Sequence, residues 1–431
     1  MKNRRSQFVI LVIVVLLGVV TAKYLFNSKA NSPFKDECYS SFEDFAYTVP
    51  DDTKYETRRA PIPPWEVESE VPDFRLGGSF DLLLSVAATR LGEDYIEVWV
   101  KQYPLANFYQ DKLANYYQFF VYRTDTKEWK SAPAQVEGTD IYVTQIFVTH
   151  DGQLWGKNIW EFNYSSELEE RPILSKYNEL SGRFEPVEST RSIPNGVLDT
   201  NPLTADLPVW TETFLDSNDL FWFVVQRDAI YSFDPATSEV TRRTDLKGVY
   251  LKEAILASNG TIYIRRYPSN PANLNFSFSL EKGEFMQYDP AKDQVETVDG
   301  PNGYWPTIGN LWADHSNRLW IGAVGFRDSE GGWNRIHPHP WLYMINVSTG
   351  NFRWGSPAKI VLESSDGRLW FKRAIDEDRN WGMAWLDPNT MQGCWFTSEY
   401  TDIKEDTNHT LWMVADWSVP NKKLYKYEIK K

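Results

Sequence analysis

The sequence predicts an all-β fold, a seven-bladed β-propeller of four-stranded antiparallel blades preceded by an N-terminal hydrophobic helix. Three observations carry the prediction: a turn-plus-aromatic phrase that recurs along the chain, a second turn phrase downstream of most copies, and one long apolar run confined to the N-terminus. Six copies of the first phrase are Asp151-Gly152-Gln153-Leu154-Trp155, Ser217-Asn218-Asp219-Leu220-Phe221, Asn259-Gly260-Thr261-Ile262-Tyr263, Ser316-Asn317-Arg318-Leu319-Trp320, Asp366-Gly367-Arg368-Leu369-Trp370 and Asn408-His409-Thr410-Leu411-Trp412. A weaker seventh, Gly92-Glu93-Asp94-Tyr95-Ile96, precedes Val98 and Trp99. Copies lie about 40 to about 65 residues apart, near the period of a four-stranded propeller blade.

An apolar run precedes each phrase, so Asp-Gly and Asn-Gly fall where a tight hairpin needs residues tolerant of positive φ. This hairpin joins strands a and b. The second phrase, as in Phe233-Asp234-Pro235, Tyr288-Asp289-Pro290 and Leu386-Asp387-Pro388, puts Asp and then Pro at the first positions of a turn joining strands c and d. Two hairpins per repeat make a four-stranded sheet, and sheets arranged radially leave only short edges. Strand d is missing from the last repeat. A segment near residues 64–71, containing Trp65-Glu66-Val67, is expected to take its place and remove the open edges. The expected domains are residues 1–26 as a signal anchor or signal peptide, 27–75 as an extracytoplasmic lead whose end closes the last blade, and 76–431 as the propeller.

The repeat phrase resembles the repeats of two-component regulator propellers, with streptogramin-lyase-like propellers as relatives, from about Phe80 onward. The resemblance implies a propeller and an extracellular, sensor-like role; it implies no particular ligand. No kinase or second membrane segment follows the repeats, so signalling is expected to need a partner. The phrase is also partly similar to the Asp box of sialidases, but Asp366-Gly367-Arg368-Leu369-Trp370 is one residue shorter between Asp and Trp. Trp155, Trp320, Trp370 and Trp412 are read as core residues, since adjacent strand positions face opposite neighbouring blades.

Lys2, Arg4 and Arg5 followed by an apolar run over residues 8–20 mark a targeting segment. Tyr24, Leu25 and Phe26 extend it to roughly the 20 residues that span a bilayer. Val20 and Ala22 alternatively suit signal-peptide cleavage. The expected location is the cell membrane, single-pass with the C-terminal domain outside the cytoplasm, or secretion after cleavage. Membrane contact is expected through this segment only.

A net charge of −14 and a pI near 5.0 argue against nucleic acid, whose binding is driven by clustered Lys and Arg. No phosphate loop, dinucleotide fingerprint or Ser-His-Asp order is present, the cysteines lack metal-ligand spacing, His337-Pro338-His339-Pro340 is the only local cluster of metal- or base-type nitrogens and is short of ligands, and no cofactor is expected. Cys38 and Cys394, the only cysteines, are candidates for a disulfide in an oxidising compartment.

Long b–c connections, at residues 102–115, 157–172, 265–284, 325–340 and 373–381, gather on one rim, the usual binding face of a repeat protein. The ligand-binding candidates there are Trp333, Arg335, His337, His339, Trp160, Trp381, Arg379 and Asp376, because aromatic and Arg side chains anchor interfaces and aromatic faces stack on sugars. Arg265 and Arg266 are placed on the same rim. His150, His315 and His409 fall beside the a–b turns at the opposite end. Three roles follow as alternatives. The first is a non-enzymatic module binding a protein or glycan at the cell envelope. The second is a propeller enzyme acting on glycans as hydrolase or lyase, for which the rim carboxylates, or His337 and His339, would have to converge around the central channel. The third is a structural part of a cell-surface assembly.

Overall fold

A computed structural model describes residues 37–39, 65–72, 82–104, 118–160, 171–194, 211–266, 285–298, 311–316, 318–324, 340–346, 351–353, 359–374, 381–390, 392–397, 403–414 and 423–429. The fold is an all-β propeller of four-stranded antiparallel blades. Six sheets have four strands each, and a further sheet has five. The expected seven four-stranded blades are thus corrected to six. In the remaining sheet, Glu37–Tyr39 adds a fifth strand beside Gln392–Thr397, using the unpaired outer edge that such a strand presents. The N-terminal hydrophobic segment lies outside the described residues. No helix among the described residues is long and apolar enough to cross a membrane.

The a strands are Leu82–Leu91, Ile141–Val148, Thr211–Leu215, Leu251–Leu256, Leu311–Ala313, Lys359–Glu363 and Ile403–Glu405. Leu82–Leu91 touches both Ile141–Val148 and Ile403–Glu405, Leu251–Leu256 touches both Thr211–Leu215 and Leu311–Ala313, and Lys359–Glu363 touches Ile403–Glu405, so the a strands face one another on the inner side of the ring. The b strands follow, and their residues alternate between the two neighbouring sheets. Phe221, Phe223 and Val225 pack with Trp155, Ile173 and Leu174 of the preceding sheet. Trp222 and Val224, at the intervening positions, pack with Leu251, Ile262 and Tyr288 of the following one. This is the two-residue period of a strand buried on both faces. The repeat tryptophans obey it: Trp155, Trp320, Trp370 and Trp412 are buried, and Trp412 meets Val86, Val98 and Phe120 of the first sheet.

Polar side chains tie sheet to sheet. Lys101 Nζ donates to Thr144 O at 3.0 Å, Lys157 Nζ to Thr211 O at 2.5 Å, and Thr89 Oγ1 to Glu405 O at 2.9 Å. Glu253 Oε1 accepts the Leu311 N–H of the next sheet at 2.8 Å. Burial pushes the Lys157 ammonium below its ordinary pKa, with Glu212 opposing.

Glu66–Glu70 pairs antiparallel with Lys423–Glu428 as the outer strand of the last sheet. Its side chains also reach the first sheet. Glu68 accepts hydrogen bonds from Tyr122 Oη at 2.8 Å and from Lys127, while Trp129 Nε1 donates to Ser69 Oγ at 3.0 Å. Lys426 Nζ lies 3.1 Å from the other Glu68 oxygen. Burial pushes the Glu68 carboxyl up, but Lys127, Tyr122 and Lys426 outweigh it and hold it below its ordinary value of 4.5. A carboxyl depressed by folding stabilises the fold above its unfolded pKa and loses that contribution as pH falls through its folded pKa. Thermal melts from about pH 7 to about pH 3 should therefore show a smaller acid-induced loss in Glu68→Gln than in the wild type. Equal losses would remove Glu68 from this role.

Candidate functional site at the mouth of the a–b turns

The a–b turns are built to one plan. In the 149–153, 216–220, 257–261, 364–368 and 406–410 turns, the first residue's N–H donates to the fifth residue's carbonyl, and the fourth residue's N–H donates back to the first residue's carbonyl. The fourth residue takes positive φ: Gly152 81°, Gly260 84° and Gly367 82°, but also Asp219 61° and His409 61°. The Asp-Gly and Asn-Gly dipeptides supply this conformation at least steric cost.

At four of the a–b turns the first turn residue also accepts the indole N–H of the tryptophan six positions on. Asp216 Oδ2 accepts Trp222 Nε1 at 2.9 Å, Asp314 Oδ2 accepts Trp320 Nε1 at 3.0 Å, and Asp406 Oδ2 accepts Trp412 Nε1 at 2.7 Å. Ser364 Oγ does the same for Trp370 at 2.8 Å. This pattern corrects the register of the second copy of the phrase: its aromatic is Trp222, not Phe221, and Phe221 occupies the Leu position. The Gly92 copy is weak because its connection is one residue shorter, Leu91 pairing with Ile96 and Gly92 N–H donating to Tyr95 O.

Where these turns meet the ends of the a strands, two adjoining cavities open, of about 800 Å³ and about 600 Å³. They share Leu215, Asp216 and Ser217. The acidic groups around them are Asp151, Asp216, Asp219, Glu363, Glu405 and Asp406, and neither lining contains a Lys or Arg among the described residues. Three histidines stand at the same mouth, each beside a carboxylate. His150 Nδ1 is 2.9 Å from Asp219, His315 Nδ1 2.8 Å from Glu363, and His409 Nδ1 3.2 Å from Glu405.

These carboxylates also bind one turn to the next. The His150 N–H donates to Asp219 at 3.0 Å, the His315 N–H to Glu363 at 2.9 Å, and the Ser365 N–H to Glu405 at 2.7 Å. Burial raises the Glu363 carboxyl above its ordinary value, against the lowering effect of the His315 N–H. The imidazoles of His150 and His315 remain 70% and 65% exposed, free to meet a ligand while their backbones are held. Ser217, Asn218 and Asn259 add hydroxyl and amide groups to the lining.

The rim predicted from loop length is placed only in part. Trp333, Arg335, His337, His339, Arg379 and Asp376 lie outside the described residues. Trp160 ends the strand Leu154–Trp160 opposite Ile141, and Trp381 begins Trp381–Asp387 opposite Ala374, so both backbones stand at the b–c end. Arg265 is corrected. Its side chain is buried, 3.2 Å from Glu253 Oε2, and is not part of an exposed rim, because the b strand Ile262–Arg266 continues through it. Cys38 and Cys394 are directly opposite in register. No group of three or more metal-ligating side chains occurs among the described residues.

No protein-family model and no curated protein sequence matches the chain. Solved structures do. The protein is a β-propeller with extracellular bacterial domains among its structural neighbours. The extracellular domain of a hybrid two-component system of B. thetaiotaomicron is 12% identical over 83% of this chain and 42% of its own, with a TM-score of 0.45. The extracellular domain of a one-component system of the same organism is 14% identical over 77% of this chain and 50% of its own, at 0.31. An oligogalacturonate lyase in complex with manganese is 10% identical over 86% of this chain and 98% of its own, at 0.47. The propeller thus spans half or less of each of the two B. thetaiotaomicron domains.

Proposed function

We propose that the protein is a non-enzymatic binding module, carried outside the cytoplasm on its N-terminal hydrophobic segment, that holds a neutral or positively charged polar ligand at the mouth of the a–b turns. The ligand is a segment of an envelope protein or glycan. The observation that carries this reading is the lining of the mouth: cavities in the range of small-ligand sites, ringed by carboxylates, hydroxyls, amides and imidazoles with no Lys or Arg among the described residues. A cleft lined by one sign of charge focuses its field, draws in opposite charge and turns away like charge. The groups sit on short hydrogen-bonded turns, so little conformational freedom is lost when a ligand docks.

Calorimetric titration of the protein with a Lys-rich peptide, a neutral oligosaccharide and an acidic oligosaccharide tests the assignment. The peptide or the neutral sugar should bind, peptide binding should weaken with salt, and the acidic sugar should bind least. Preferential binding of the acidic sugar would reject the proposal.

A further inference from the structure

The register of the five-stranded sheet points to a covalent clamp: we infer that Cys38 and Cys394 form a disulfide that fastens the N-terminal lead to the outer edge of that sheet. The strand Glu37–Tyr39 pairs with Gln392–Thr397 so that Glu37 faces Trp395, Cys38 faces Cys394 and Tyr39 faces Gly393. Directly opposed residues of an antiparallel pair have Cα atoms about 4.5 to 5.5 Å apart. A disulfide needs about 4.4 to 6.8 Å. A slip of one residue would move Cys38 to the other face and end the match.

The partner strand is itself anchored. On its inner side Cys394 is paired with Trp385, so the two cysteines and Trp385 share one face of the sheet. Trp385 packs against the cluster that contains Trp65, Trp370, Leu411 and Tyr425. Cys394 therefore belongs to a fixed strand, whereas Glu37–Tyr39 has pairing on one side only. The chain that leaves Tyr39 comes back as Glu66–Glu70 in the neighbouring last sheet. A clamp at Cys38 fixes the far end of that excursion, so a pull on the N-terminus falls on the outer edge of the five-stranded sheet before it reaches the closing strand.

The chemistry requires an oxidising compartment, which agrees with export of the propeller. One cysteine thiolate attacks the S–S bond of a disulfide-bearing oxidant and forms a mixed disulfide. The second thiolate then displaces the oxidant's remaining sulfur. The two cysteine thiols lose two protons and two electrons, one S–S bond forms, and the oxidant leaves as a dithiol.

The test is thiol trapping on the full chain produced in an oxidising secretory compartment, acid-quenched, denatured, and alkylated with and without prior reduction, then read by intact mass. The unreduced monomer should take no alkyl group and the reduced monomer two. In Cys38→Ser, Cys394 should become alkylatable without reduction, and Cys394→Ser should expose Cys38 in the same way. Two alkylated cysteines in the unreduced wild type, or linkage of the protein as a disulfide-bonded dimer, would overturn the clamp. Because the readout is taken after denaturation, it does not depend on how well either variant folds.

Discussion

Trp65→Ala is expected to cost about 3–5 kcal/mol of unfolding free energy, the range for truncating a large buried aromatic. Trp65 is 6% exposed. Its ring meets Trp370 edge-on at 6.1 Å and Tyr427 at 5.6 Å, so one side chain just ahead of the closing strand joins the last sheet to the five-stranded one. The truncation would leave a cavity between two sheets whose strands are each fixed by their own ladder hydrogen bonds, and the cost of such a cavity depends on how well the site can collapse. Removing residues 65–72 altogether should cost more, because Lys423–Glu428 would become an unpaired edge and Glu68 would no longer reach Tyr122. Denaturant unfolding of both variants checks this. Stability within about 0.5 kcal/mol of wild type, the usual range for a surface change, would mean that the ring does not depend on this strand.

Asp314→Ala should be comparably severe. The Asp314 carboxylate is fully buried and serves four donors: Ser316 N–H and Arg318 N–H on one oxygen, and Arg318 Nε and Trp320 Nε1 on the other. Alanine would leave a largely buried guanidinium and a buried indole N–H without this acceptor. Breaking a buried ion pair by removing one partner costs about 3–5 kcal/mol. Asp314→Ser should lose less, since Ser364 shows that a hydroxyl at this turn position can accept the tryptophan N–H. Unfolding free energies in the order wild type, Ser, Ala are the expected result. Equal losses for Ser and Ala would show that the tryptophan bond contributes little.

The sequence made the repeat legible because its turns obey local chemistry. The Asp-Pro phrase works in the same way: Asp234, Asp289 and Asp387 each accept the backbone N–H two residues on, a hydrogen bond that needs no distant partner. Register was harder where apolar residues run together. Leu220, Phe221 and Trp222 all fit an aromatic-leucine phrase, and only the bond from Trp222 to Asp216 decides among them. The added strand Glu37–Tyr39 carried no signal, being three residues with no turn phrase, stabilised by an edge supplied from about 350 residues away.

The site was less legible than the fold. Loop length drew attention to the b–c end, whereas the described cavities lie at the other end, where the acidic residues read simply as turn formers. Two features of the turns could have revealed it. His150 and His315 each directly follow the first turn residue, and acidic residues stand in or just before several turns, as Asp151, Asp216, Asp219, Glu363, Glu405 and Asp406 do. Arg265 was misplaced for a related reason, since nothing in Ile262-Tyr263-Ile264-Arg265-Arg266 marks where strand gives way to loop.

Titration of Ser217→Arg beside wild type decides whether the a–b mouth is the binding face. Ser217 is exposed and lines both cavities, so arginine there adds a positive charge to the acidic mouth at the surface of a turn. Binding of a Lys-rich peptide should weaken about tenfold or more, a loss of about 1.4 kcal/mol, at an unchanged melting temperature. Unchanged affinity in the folded variant would contradict this and move the binding face to the opposite end of the propeller.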